Sequence, residues 1–132
     1  MLITVLLDND SSGHQELFTG TVYSTGWAEY HLVRFITLVE AGLTNDALDR
    51  DSWRYCQSHS FLLLTANRNQ DDPDSLEQTL RDEHGEDALP VVTISAPQRL
   101  IEPVYRERCI HALIGIILDL HNYLGSARLF IP

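Results

Sequence analysis

Three short apolar runs stand out along the chain, at residues 2–7, 61–65 and 91–94. Runs this brief, with no polar alternation, read as strands covered on both faces, as in a parallel sheet. Residues 32–38 carry a mixed signal. Leu32, Phe35, Ile36 and Val39 have helical spacing, but Val33, Phe35, Ile36 and Thr37 are β-branched or aromatic. That content favours a strand. Residues 128–131 supply a short final strand.

Polar signals between the runs predict helices. Ser12 and Gln15 have the spacing of a capping box, so a helix starts there, runs to about Thr25 and stops at Gly26. After a turn at 42–45, Asp46 or Asp49 caps a helix that carries Trp53, Tyr55 and Cys56 and ends near His59. Residues 67–74 are a polar loop. Ser75 and Gln78 repeat the capping-box spacing and open a helix to about His84. Pro103 suits the first turn of a long last helix, ended by Gly125. On it Tyr105, Cys109, Ala112, Ile116, Leu120 and Leu124 form one stripe, and Ile110, Ile114, Ile117 and Leu118 form a second. A helix apolar on two faces is either fully buried or shared between the core and a partner subunit. Alternating strands and helices imply parallel βαβ units with right-handed crossovers.

Length and composition narrow the picture. The 132 residues suit one domain, which at this size needs no metal or disulfide staple. Net charge is −10, and all nine basic residues are Arg. Such a surface repels phosphate backbones at long range and argues against tight non-specific nucleic-acid binding. A local Arg-lined groove or a cation site is not. Cys56 and Cys109 lack any metal-ligand or redox spacing. Both read as buried free thiols, which suits a reducing, cytoplasmic setting. The amino terminus lacks the basic region and cleavage site of a signal peptide. The longest apolar stretch contains His111 and Asp119 and is too short and polar to span a membrane.

Chemistry in open parallel sheets collects at the carboxyl ends of the strands. The first run ends in Asp8-Asn9-Asp10, and the run at 61–65 leads through Thr65 into Asn67-Arg68-Asn69. The helix between them opens with Asp46, Asp49 and Asp51. If the two strands are neighbours, these groups converge. Carboxylates, amides and a hydroxyl are hard oxygen donors, suited to Mg²⁺ or Mn²⁺. A cation held that way orients a water and stabilises the charge that develops in phosphodiester hydrolysis. Each Asp also has a plainer role as a turn or cap residue, and Asn67 and Asn69 suit local bonds to backbone. Trp27 and Trp53 read as packing residues. No pair among the six His has useful ligand spacing, and no nucleophile elbow, phosphate loop or dinucleotide fingerprint is present.

Three segments, Leu6-Leu-Asp-Asn-Asp10, Asp49-Arg-Asp-Ser-Trp53 and Leu62-Leu-Leu-Thr-Ala-Asn-Arg-Asn69, together resemble PIN-like proteins of the Mut7-C-related type. Asp74-Ser-Leu-Glu-Gln-Thr-Leu80, Asn122-Tyr-Leu-Gly125 and Arg128-Leu-Phe-Ile-Pro132 resemble a bacterial branch of that group. The resemblance covers most of the chain. It implies a three-layer α/β/α fold with a mainly parallel central sheet. It also implies an acidic site that binds Mg²⁺ or Mn²⁺ and cleaves RNA, in proteins that are often toxins of toxin–antitoxin pairs. By position Asp8 matches the first acid, and Asp49 and Asp51 match those opening the middle helix. Asn67 and Asn69 fall where related proteins carry Asp. Two amides in place of two carboxylates weaken a site that holds its cation mainly by charge.

The leading expectation is therefore a metal-dependent ribonuclease. Asp8, Asp49, Asp51 and Asn67 are its catalytic candidates, with Asp8, Asp10, Asp51, Asn67 and Asn69 as metal ligands and Thr65 and Arg68 on the substrate. The competing expectation is a non-catalytic PIN-like module that meets an antitoxin-like or other protein partner, or a second copy through its last helix.

Overall fold

The computed structural model describes residues 2–8, 12–66 and 75–132. The apolar runs form strands β1 (Ile3–Leu7), β2 (Val33–Thr37), β3 (Leu62–Thr65), β4 (Val91–Ile94) and β5 (Arg128–Ile131). They pair in one all-parallel sheet of order β2-β1-β3-β4-β5. The ambiguous segment at 32–38 is a strand, at the edge of the sheet. Between the strands lie helices α1 (Gln15–Ser24), α2 (Asp49–His59), α3 (Leu76–Glu83) and α4 (Pro103–Leu118).

Side-chain alternation along the strands divides the core in two. Val5, Leu7, Leu64, Val92 and Ile94 face α1 and α4, meeting Phe18, Val22, Leu113 and Ile117. Leu6, Leu63 and Val91 face α2 and α3, meeting Trp53, Cys56, Leu76 and Leu80. The result is a three-layer α/β/α arrangement. Each buried Leu, Ile, Val or Phe contributes about 1.5–3 kcal/mol relative to exposure, which makes the two apolar layers the main support of the fold.

The crossovers do not share one hand. From β3 to β4 and from β4 to β5 the chain steps the same way along the sheet, yet α3 and α4 lie on opposite faces. Those two units must have opposite hands. The first three units agree with one another, so β4-α4-β5 is the exception to the expected pattern. Its connection is long, with a 3-10 turn at Pro97–Ile101 before α4 and another at Leu120–Asn122 after it.

Local expectations need three further corrections. Ser12–His14 is a 3-10 turn, and α1 begins at Gln15 with no side-chain cap at His14. The Gln15 amide instead donates to the Phe35 carbonyl at 3.0 Å and to Glu40 at 2.6 Å, covering part of the open β2 edge. Neither Asp46 nor Asp49 caps α2, whose N-cap is Leu48. Finally α4 stops at Leu118, short of Gly125. The Ser75 cap does form, accepting the Gln78 amide at 3.2 Å.

Most of the two apolar stripes predicted on α4 is buried. Tyr105, Cys109, Ile110, Leu113, Ile114, Ile116 and Ile117 all enter the monomer's own core. Val104 and Leu118, at its two ends, stay exposed. No helix among the described residues is long and apolar enough to cross a membrane.

Candidate functional site

The chain leaves β1 on one side to form β2, then crosses back over it to form β3. The carboxyl edge between β1 and β3 is therefore the topological switch point, where open α/β sheets offer a crevice to ligands. Asp8 stands at that edge. Its backbone N–H donates to the Leu64 carbonyl at 3.2 Å, which carries the ladder one residue past β1. Register then places Asp8 beside Thr65, the last residue of β3. The Thr65 hydroxyl donates to Asp8 Oδ2. Asp8 is 6% exposed and Thr65 is fully buried.

Burying a carboxylate is costly unless hydrogen bonds or charge compensate. A hydroxyl donor to a carboxylate is a charge-assisted bond of the stronger kind. Cys56, on the α2 face of the site, registers the same charge. Burial, and after it the Asp8 charge, pushes its thiol well above the usual range. Cys56 therefore stays protonated and is not a nucleophile. Asp8 is the group here with capacity as a ligand or proton acceptor.

The polar row continues beyond what was anticipated. Thr93 on β4 is in register with Thr65 and is fully buried. The Arg128 guanidinium on β5 donates to the Thr93 hydroxyl and, from Nε, to Glu77 on α3 at 2.7 Å. Thr93, Arg128 and Glu77 escaped the sequence reading because one Thr in an apolar strand carries no distinctive signal.

The remaining candidates separate. The Asp49 carboxylate accepts the Leu76 amide at 3.2 Å and so caps the start of α3 from the neighbouring helix. Asp49 shares the inward face of α2 with Ser52, Trp53 and Cys56, at spacings of three, four and seven residues. Asp51 lies two residues on, about 200° around the helix. It is exposed, and its charge acts on Arg54. The fold does not turn Asp51 toward Asp8. Asp10, Asn67, Arg68 and Asn69 lie outside the described residues. Asp8 and Thr65 are thus the two candidates brought into direct contact.

Below the site, α2 and α3 are clamped together. Arg50 reaches Asp82 at 2.8 Å and also pairs with Glu83, and Arg54 reaches Glu83 at 2.7 Å. These cations hold Asp82 and Glu83 below the usual carboxylate range, mainly through the Arg50 and Arg54 hydrogen bonds respectively.

Among the described residues no group of three or more His, Cys, Asp or Glu is arranged to hold a metal ion. No protein-family model matches the chain, and no curated protein or solved structure matches it.

Proposed function

We propose that the chain is a PIN-like, divalent-cation-assisted ribonuclease centred on the carboxyl edge between β1 and β3. The observation that carries this reading is the buried Asp8 carboxylate, held by Thr65 at the switch point of a parallel sheet. Asp8 is a hard oxygen donor of the kind Mg²⁺ and Mn²⁺ prefer. Its partners in such a site would be Asp10, Asn67 and Asn69, which adjoin Asp8 and Thr65 in sequence. When bound, the cation would supply positive charge to orient a water and offset charge developing on the phosphodiester.

The chain's own contribution is positional. Thr65 fixes one Asp8 oxygen and so holds the orientation of the carboxylate. Asp49, tied to the α3 amide, keeps the start of α3 against α2 and acts as a positioning residue. Asp51, exposed on the far side of α2, has no direct part. Arg68 offers a planar fork for a substrate phosphate.

A non-catalytic PIN-like module is the second reading. It is favoured by Asn67 and Asn69 standing where the resemblance leads one to expect carboxylates.

The test is cleavage of a mixed single-stranded RNA pool in Mn²⁺, Mg²⁺ and EDTA, with Asp8→Asn beside the wild type. Metal-dependent cleavage that vanishes in Asp8→Asn supports the nuclease. Cleavage that survives in the variant places the activity elsewhere. A folded protein that cleaves nothing and takes up no Mn²⁺ by calorimetry favours the interaction module.

A further inference from the structure

A second chemical cluster lies toward the amino end of the sheet, on the face that α2 and α3 cover. Strand alternation puts Thr4 and Arg34 on that face, together with Leu6. The two are register partners on β1 and β2. The Arg34 guanidinium donates from Nε and Nη2 to the Thr4 hydroxyl at 3.3 and 3.1 Å, so the cation lies over β1. Carrying the β1–β3 register one residue back from Val5 and Leu62 sets Phe61 on the other side of Thr4. Phe61 packs with the α2–α3 side of the core, so its ring and the guanidinium flank Thr4 on one face.

Helix α2 adds two further rings. Gln57 exchanges two bonds of 3.0 Å with the backbone of Leu89, just before β4, and so points toward β4. Tyr55 and His59 are each two residues from Gln57, about 200° around the helix. They therefore overhang the β1–β2 side, where Arg34 lies. Their rings stack with centroids 4.0 Å apart and planes 19° apart. His59 Nδ1 is 2.9 Å from the Tyr55 carbonyl oxygen, and the Phe61 ring lies 6.0 Å from Tyr55 and 5.5 Å from His59. The rings are held in place before any ligand arrives, which lowers the ordering cost of binding. Arg34 and His59 are exposed, and Tyr55 and Phe61 are half-buried beside them.

The local charge runs against that of the molecule, which carries −10. Among the described residues Arg34 bonds only to Thr4, which leaves Nη1 for a further acceptor. Glu40 feels the Arg34 charge, but its carboxylate is held by the Thr37 amide and by Gln15. The acids of α2, Asp49 and Asp51, lie in its first turn. That is about 12 Å or more along the axis from His59, at ~1.5 Å per residue.

We propose that this patch binds a free mononucleotide, its phosphate on Arg34 and its base on the ring cluster headed by His59. A guanidinium fork suits phosphate, and aromatic and His rings suit a base. One cation beside one ring cluster matches one nucleotide unit. A long strand would bring many phosphates against the acidic body, which disfavours it. The site is independent of the proposed ribonuclease centre, since Thr4 is about 13 Å from Asp8 at ~3.3 Å per strand residue.

The experiment is an NMR titration of the full chain, in EDTA, with adenosine 5′-monophosphate, adenosine and ribose 5-phosphate. Saturable shifts are expected at the Arg34, His59 and Phe61 amides, with Thr65 unmoved. The nucleotide should bind about tenfold more tightly than adenosine, through the charge-assisted bond, and about tenfold more tightly than ribose 5-phosphate, through stacking. Both substitutions that test this are at exposed positions. Arg34→Gln should erase the preference over adenosine, and His59→Ala should reduce the preference over ribose 5-phosphate. Equal binding of nucleotide and adenosine, or a preference that survives Arg34→Gln, overturns the role of the cation. Equal binding of nucleotide and ribose 5-phosphate overturns the stacking surface. An oligoadenylate that binds more tightly than the mononucleotide overturns the assignment to a free nucleotide. The absence of saturable shifts up to about 10 mM, weaker than the millimolar range of marginal ligands, overturns the site.

Discussion

The hydroxyl of Thr65 donates to the carboxylate of Asp8 across the junction of β1 and β3, joining two residues 57 positions apart in the chain. Removing that donor takes a hydrogen bond from a buried carboxylate. Thr65→Val keeps the shape and should destabilise the protein by about 1–3 kcal/mol, the cost of an unmet buried polar group. Urea unfolding of Thr65→Val, Asp8→Asn and the double variant forms a cycle that isolates the bond. Purely additive effects would mean that the two side chains do not cooperate.

Asp49 and Asp51 provide a paired test of helix orientation. Asp49→Ala removes the acceptor for the Leu76 amide and should cost ~1 kcal/mol, as for a lost cap. Asp51→Ala, at an exposed position, should stay within about 0.5 kcal/mol. Equal losses at the two sites would contradict the inward placement of Asp49.

Gly125 has φ +86°, and a Cβ there would lie 2.8 Å from the Glu86 carbonyl oxygen. Its own N–H donates to the Ala88 carbonyl at 2.9 Å, so the loop before β5 has little freedom to move away. Gly125→Ala combines a strained backbone with a clash and should cost about 1–3 kcal/mol. A thermal melt unchanged from wild type would show that this loop gives way easily.

The α2–α3 clamp predicts acid sensitivity. Asp82 and Glu83 have folded-state pKa values below their ordinary ones. The stability they contribute is therefore present above the ordinary carboxylate range and is lost as pH falls through the folded-state values. Asp82 and Arg54 are exposed and Arg50 and Glu83 only half-buried, so the effect of the three pairs is small and screened by salt. Replacing Arg50 and Arg54 by Met should flatten the loss of stability on the acid side and leave the neutral-to-alkaline side parallel to wild type. An unchanged acid slope would mean that other carboxylates govern it.

The placement of Asp8 and Thr65 at strand ends was readable in advance. The abrupt end of an apolar run at Asp8 marked the carboxyl edge of a strand, and Thr65 closed the next buried run in the same way. Asp49 shares a helical stripe with Ser52, Trp53 and Cys56 whereas Asp51 does not, yet the sequence reading expected both at the site. What could not be read was that Asp49 would cap α3 rather than its own helix. That bond depends on how two helices distant in sequence lie against each other. Arg128 was hidden for the same reason: its partners Thr93 and Glu77 are 35 and 51 residues away.

Local pattern was enough to specify the five strands and most of the four helices, because burial and backbone period are written residue by residue. It did not specify the strand order, the hand of the last crossover or which acids meet. The apolar runs are nearly interchangeable as sheet members, so their neighbours are chosen by the packing of the whole chain. That choice placed β1 between β2 and β3, and with it brought Asp8 to Thr65.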